Sequence, residues 1–199
     1  SIRVLADEFN GKKLNSPNDV VVKSDGSVWF TDPTYGILSD YEGRRAPAEQ
    51  SGCHVYRIDP EISDIKQLTR DFMQPNGLAF NPDETALFIS DTGASHAENG
   101  PKHIRKFNLG ENGQTLSEST VFAECSAGLF DGFRFDDAGR LWSSAADGVH
   151  CYDPDGTLIG KILIPEMVAN LCFGGAARNR LFIAGTTSLY AAYLNVNGA

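Results

Sequence analysis

The chain has 199 residues, 41% of them hydrophobic and 10% aromatic, which suits a folded domain, or loosely two, and not a disordered chain. Its formal net charge of −9 makes nucleic acid and anionic membranes unsuitable partners. No apolar run nears the ~20 residues that a spanning helix needs, and the N-terminus shows no charged-then-apolar leader pattern. A soluble protein is expected, with the compartment open between cytoplasm and periplasm.

In chain order, residues 2–6 read as a lone strand. Four-stranded units then follow, each built of short β-type runs separated by turn residues. The first unit takes residues 20–22, 28–31, 54–58 and 65–69, with a Ser24-Asp25-Gly26 turn after its first strand. The second takes residues 78–80, 86–90, 104–108 and 120–123, and the third residues 132–135, 141–144, 149–152 and 158–164. The last has only three, at residues 171–173, 181–184 and 189–194. Asp-Gly and Pro-Asp tips suit tight hairpins because they tolerate positive φ. Two long connections, residues 32–51 and 91–102, join the second and third strands of the first two units. Loops of that length on a rigid scaffold tend to carry function.

The units are versions of one pattern. Asn18, Asn76, Asp131 and Asn170 each stand at the head of a short apolar run. Trp29, Phe88, Trp142 and Phe182 follow them by 11, 12, 11 and 12 residues. Such self-similarity marks a repeat architecture, and four-stranded repeats of this length are blades of an all-β fold, the β-propeller. Sixteen expected strands could close a four-bladed ring by pairing residues 2–6 with the last unit. The other possibility is about two-thirds of a larger propeller, with residues 1–199 as one domain.

First strands of blades line the central channel, so the residue before each lies at a channel mouth. The amides of Asn18, Asn76 and Asn170 and the carboxylate of Asp131 would bring oxygen donors together there. Oxygen donors suit a hard divalent cation, Ca²⁺ or Mg²⁺, and tolerate Mn²⁺ or Zn²⁺. A cation with open positions polarises a carbonyl and activates water. Asp131 and Asp19 are the carboxylates placed to take a proton from that water, although Asp19 could equally orient a neighbouring amide. A lone Asn-Gly or Asp-Gly is only a turn signal; the fourfold register gives it weight.

The other residues carry less. His54, His96, His103 and His150 have no metal-trio spacing and read as loop or strand-edge residues. Cys53, Cys125, Cys151 and Cys172 form no C-x-x-C pair and read as buried free thiols. No G-x-S-x-G elbow is present, and Gly174-Gly175 opens no helix.

Several stretches carry a specific resemblance. They include Leu14-Asn15-Ser16-Pro17-Asn18-Asp19-Val20-Val21-Val22 with Trp29-Phe30-Thr31-Asp32-Pro33, and Pro75-Asn76-Gly77-Leu78-Ala79-Phe80-Asn81-Pro82-Asp83-Glu84. Asp131-Gly132-Phe133-Arg134 and Asn170-Leu171-Cys172-Phe173-Gly174-Gly175 extend it. On these residues the chain resembles the gluconolactonase, senescence-marker-protein-30 and luciferin-regenerating-enzyme family of six-bladed propellers, bacterial gluconolactonases above all. The resemblance implies a divalent metal, calcium foremost, held in this family by a Glu, an Asn and an Asp, with a further Asn near metal and substrate. Asn76 matches the metal Asn. Asp131 matches the metal Asp and favoured base, and Asn18 the further Asn, touching metal or substrate. Asn170 is a candidate substrate contact. No residue here matches the Glu, which the family carries in its first blade. Six blades need about 270–300 residues by the repeat length, so the chain is expected to be about two-thirds of such a propeller.

The implied activity is metal-dependent opening of a small sugar lactone. The alternatives are hydrolysis of another ester, lactone or phosphotriester on the same scaffold, and a non-catalytic propeller that binds calcium or a ligand. Nothing in the sequence fixes an oligomeric state.

Overall fold

The computed structural model of the chain describes residues 2–59, 61–62, 64–110 and 112–199. Four successive antiparallel sheets make four blades, in chain order. Blade one is β3 (Val20–Val22), β4 (Val28–Asp32), β5 (Cys53–Asp59) and β6 (Asp64–Phe72). Blade two is β7 (Pro75–Phe80), β8 (Ala86–Asp91), β9 (His103–Leu109) and β10 (Leu116–Glu124). Blade three is β11 (Phe133–Phe135), β12 (Leu141–Ala145), β13 (Gly148–Tyr152) and β14 (Leu158–Leu163). Blade four has three strands, β15 (Val168–Gly174), β16 (Arg180–Gly185) and β17 (Leu189–Tyr193). The helical content among described residues is one turn, α1 (Tyr35–Leu38), and a 3₁₀ turn at Gly93–Ser95.

Residues 2–6 form no strand, contrary to the sequence expectation. A small hairpin, β1 (Glu8–Phe9) and β2 (Lys12–Lys13), stands before blade one instead, with Asn10 and Gly11 at positive φ in its turn. Phe9 packs on Tyr56, with ring centroids 5.2 Å apart, so the hairpin covers the face of blade one turned away from blade two. No ladder joins blade one to blade four among the described residues.

Period-two alternation explains how neighbouring blades adhere. In β8, Leu87 and Ile89 enter the core shared with blade one, while Ala86 and Phe88 enter the core shared with blade three. The recurring aromatics mark these seams. Trp29 meets Phe80 edge-on at 5.3 Å, Phe88 meets Phe135 at 4.9 Å and Trp142 meets Phe173 at 6.3 Å. Each second strand thus presses an aromatic against the phenylalanine near the end of the next blade's inner strand, a geometry that ring quadrupoles favour. Phe182, the fourth aromatic, lies under the Arg180 guanidinium, 4.8 Å from its centroid.

Two expectations are corrected. His54 and His150 are buried within β5 and β13, at 3% and 0% exposure, and are not edge residues. Cys172 is exposed on β15, whereas Cys53, Cys125 and Cys151 are buried; all four are free. The alternation of β15 explains Cys172: Leu171 takes the buried side, so its neighbour faces out.

Candidate functional site

The inner strands β3, β7, β11 and β15 converge on a channel, and the segments that enter them form one of its mouths. A cavity of about 470 Å³ occupies that mouth, and Asn18, Asn76 and Asp131 all line it. Each is delivered by a loop that the adjacent strands hold rigid. Thr31, Ser90 and Ser144 occupy one position of the second strand in successive blades. The Thr31 hydroxyl donates to the Asn76 carbonyl at 2.8 Å and accepts from the Asp19 amide at 3.1 Å. Ser90 donates to the Asp131 carbonyl at 3.3 Å, and Ser144 accepts from the Asp131 amide at 2.9 Å. Hydroxyls one strand back therefore fix the backbone of the site.

A second tier holds the loops themselves. Asp32 is fully buried and accepts the amides of Asn15 and Ser16 at 2.9 and 2.8 Å. Asp91 does the same for Met73 and Gln74, both at 2.9 Å. Burial pushes the Asp32 carboxyl up to about 6, with the two amides pulling the other way.

Glycines let the blades approach at the mouth. A Cβ on Gly77 would fall 2.0 Å from the Asp131 carbonyl oxygen. One on Gly132 would fall 2.1 Å from Oδ1 of Asn170. The Gly after Asn76 and the Gly after Asp131 are thus the surfaces against which the next repeat's Asx segment packs.

The chemistry of the cavity centres on Asn76 and Asp131. Asn76 is 6% exposed, and its Oδ1 is buried with no hydrogen-bond partner. A buried acceptor left unpaired costs about 1–3 kcal/mol, so native structures keep few of them without a reason. Asp131 is half-buried, and burial pushes its carboxyl up to about 6. The charges of Asp19 and Glu42 push the same way, and a hydrogen bond from the Asn76 side chain opposes them. An orphaned amide oxygen beside a poorly solvated carboxylate is a donor set that a hard cation would satisfy. Among the described residues no cluster of three or more His, Cys, Asp or Glu could hold a metal by itself. The donors are amide oxygens plus one carboxylate.

Asp19 and Asn170 stand apart from the cavity lining. The Asp19 carboxylate accepts the amides of Val20 at 2.8 Å and Leu78 at 3.3 Å and faces Arg134 at 3.8 Å. It stitches blade one to blade two, and its charge reaches Asp131. Asn170 is exposed, and its Oδ1 accepts the Leu171 amide at 2.8 Å. The register shift in β15 between Val168 and Asn170 presents Val168 and Ala169 to the cavity in its place.

The structure adds lining residues that the repeat pattern did not single out. Tyr35, Tyr41 and Glu42 come from the first long loop, and Thr92 and Ser95 from the second. The loop lengths signalled them as segments, but no spacing rule picks individual residues from an irregular loop.

Comparison with known proteins places these features. Residues 1–187 match the model of the SMP-30/Gluconolactonase/LRE-like region. A gluconolactonase of Zymomonas mobilis is 32% identical over 192 residues, covering 92% of this chain and 51% of that protein. A 6-deoxy-6-sulfogluconolactonase of Pseudomonas putida is 33% identical over 146 residues, covering 70% of this chain and 47% of that protein. The solved gluconolactonase of Xanthomonas campestris superposes with a TM-score of 0.86 at 37% identity, covering 98% of this chain and 61% of that one. The chain thus spans about half the length of the curated relatives it matches.

Proposed function

This chain belongs to the SMP-30/gluconolactonase/LRE-like family, and on that footing we propose that the whole protein hydrolyses a sugar lactone in the cavity lined by Asn18, Asn76 and Asp131. The observation that carries the reading is the buried, unpartnered Oδ1 of Asn76 in the same cavity as the Asp131 carboxylate. Gluconolactonase and sulfogluconolactonase relatives at 32% and 33% identity support the substrate class.

Asn76, Asp131 and Asn18 would hold a divalent cation, Ca²⁺ first, with Mg²⁺, Mn²⁺ or Zn²⁺ as alternatives. When bound, it supplies Lewis-acid polarisation of the lactone carbonyl. The remaining roles fall to the chain. Asp131, the carboxylate among the three residues, takes a proton from the water that attacks the carbonyl carbon. The resulting tetrahedral species collapses with cleavage of the bond to the ring oxygen, which takes the proton back from Asp131 and leaves as the hydroxyl of the open acid. Asn18, exposed at the mouth, orients the lactone through its amide. Asp19 acts through Asp131: fixed by two amides, it keeps a negative charge near the base. Asn170 acts through Gly132, which it packs against, and so sets the Asp131 segment.

The test is hydrolysis of glucono-1,5-lactone above its spontaneous rate by the whole protein and its Asp131→Asn variant. The reading requires turnover by the wild type and a loss of ~10²-fold or more in the variant. Near-normal turnover by Asp131→Asn, with metal present and the fold intact, would overturn it.

A further inference from the structure

Beyond the metal and base positions, one wall of the cavity carries a run of hydroxyls in contact with one another. Tyr35 stands at the start of α1 on the first long loop, and on the second Thr92 precedes the 3₁₀ turn and Ser95 ends it. All three line the cavity. Their placement is fixed from behind. The Gln74 side chain, 6% exposed, donates to the Thr34 hydroxyl at 2.8 Å and accepts the Thr34 amide at 3.1 Å, tying the first loop to blade two.

Each hydroxyl owns one hydrogen. Thr92 Oγ1 donates to the Gln74 carbonyl at 3.1 Å, and Ser95 Oγ donates to the Thr92 carbonyl at 2.7 Å. Carbonyls cannot donate, so these two directions are forced. The Tyr35 hydroxyl is in short contact with Thr92 Oγ1 and lies 3.3 Å from Ser95 Oγ. Ser95 Oγ also meets His96 Nδ1 at 2.6 Å. The ring of His96 lies 5.2 Å from that of Tyr35 and closes the group. Each hydroxyl oxygen has two lone pairs, so the phenol and serine oxygens that line the cavity keep capacity to accept from a ligand.

We infer that Tyr35 and Ser95, oriented by Thr92 and His96, form a specificity-determining acceptor array that binds hydroxyl hydrogens of a polyhydroxylated lactone. The inference rests on the lactonase reading and adds to it the residues that distinguish a hydroxylated substrate from a bare ring. A site built around substrate hydroxyls disfavours the analogue lacking them, because its own polar groups lose their counterparts.

The experiment compares kcat/KM for glucono-1,5-lactone and δ-valerolactone in the wild-type whole protein and in Tyr35→Phe, Ser95→Ala and Ser95→Thr. The first two variants should lower the gluconolactone-to-valerolactone ratio about tenfold or more, chiefly through the KM for gluconolactone. Ser95→Thr keeps a hydroxyl and should hold the wild-type ratio. Tyr35→Phe retains the ring that meets His96, so a folded variant is available. If both lactones turn over and Tyr35→Phe and Ser95→Ala leave the ratio unchanged, the array is only a tie between loops and the inference falls alone. If the wild type turns over neither lactone, the lactonase reading falls and the inference with it.

Discussion

Asn76 carries a cost that the proposed cation would offset. Its buried, unpartnered Oδ1 would contribute more to stability if it were absent. Asn76→Leu keeps the volume and removes the orphan, so the metal-free variant should melt at or above the wild-type temperature while lactone turnover drops by ~10²-fold or more. A variant that melts several degrees lower, or that keeps turnover, would show that the amide serves the fold. Glu166 offers a pH test away from the cavity chemistry. The Tyr190 hydroxyl at 2.6 Å and the Thr187 amide at 2.5 Å hold its carboxyl down to about 2, against an ordinary 4.5. A depressed carboxyl stabilises the fold above its unfolded pKa and loses that contribution as pH falls through the folded one. The melting-temperature gap between wild type and Glu166→Gln should therefore narrow as pH drops from 4.5 toward 2. A gap that stays constant across that window contradicts the assignment.

Strands and seams were largely legible in the sequence, because both follow from period-two burial and from turn residues. All fifteen strands expected in the four units are present, most of them extended by a residue or more at their ends. Residues 2–6 look equally strand-like but pair with no strand among the described residues, and propensity without a ladder gives no strand. The repeating aromatics predict which residues matter for adhesion between blades, but not how much. Trp29 is fully buried between blades one and two, so Trp29→Ala should cost ~3–5 kcal/mol. Trp142 is half-buried and its Nε1 donates to Asp136 at 2.9 Å, so Trp142→Ala should cost less. Denaturant unfolding of the two variants checks the order, and a larger loss for Trp142→Ala would reverse the seam assignment. The Asx-Gly pairs have a similar ranking. The Cβ of Gly77→Ala meets backbone, the Asp131 carbonyl, and should cost ~1–3 kcal/mol. That of Gly132→Ala meets the exposed Asn170 side chain, which can turn aside, and should cost less. Equal melting temperatures for both would mean the Gly77 contact relaxes freely.

At the scale of the molecule, the fourfold recurrence directs side chains from three blades to one cavity, and that much could be read from spacing alone. Asn18, Asn76 and Asp131 head their inner strands in register, so any fold that keeps the register gathers them. Asn170, of the same pattern, and Asp19, beside Asn18, do not line that cavity, for local reasons. A register shift in β15 turns Asn170 out of the lining, and the amides of Val20 and Leu78 occupy the carboxylate of Asp19. The acceptor array was not legible, because Tyr35, Thr92 and Ser95 meet only through the packing of two irregular loops. The most direct test of the central claim is the rate of glucono-1,5-lactone hydrolysis by the whole protein, stripped with chelator and then titrated with Ca²⁺. The account predicts a stripped protein near the spontaneous rate and saturable recovery as the ion is restored. A stripped protein that retains full activity, or one that no divalent cation reactivates, would contradict it.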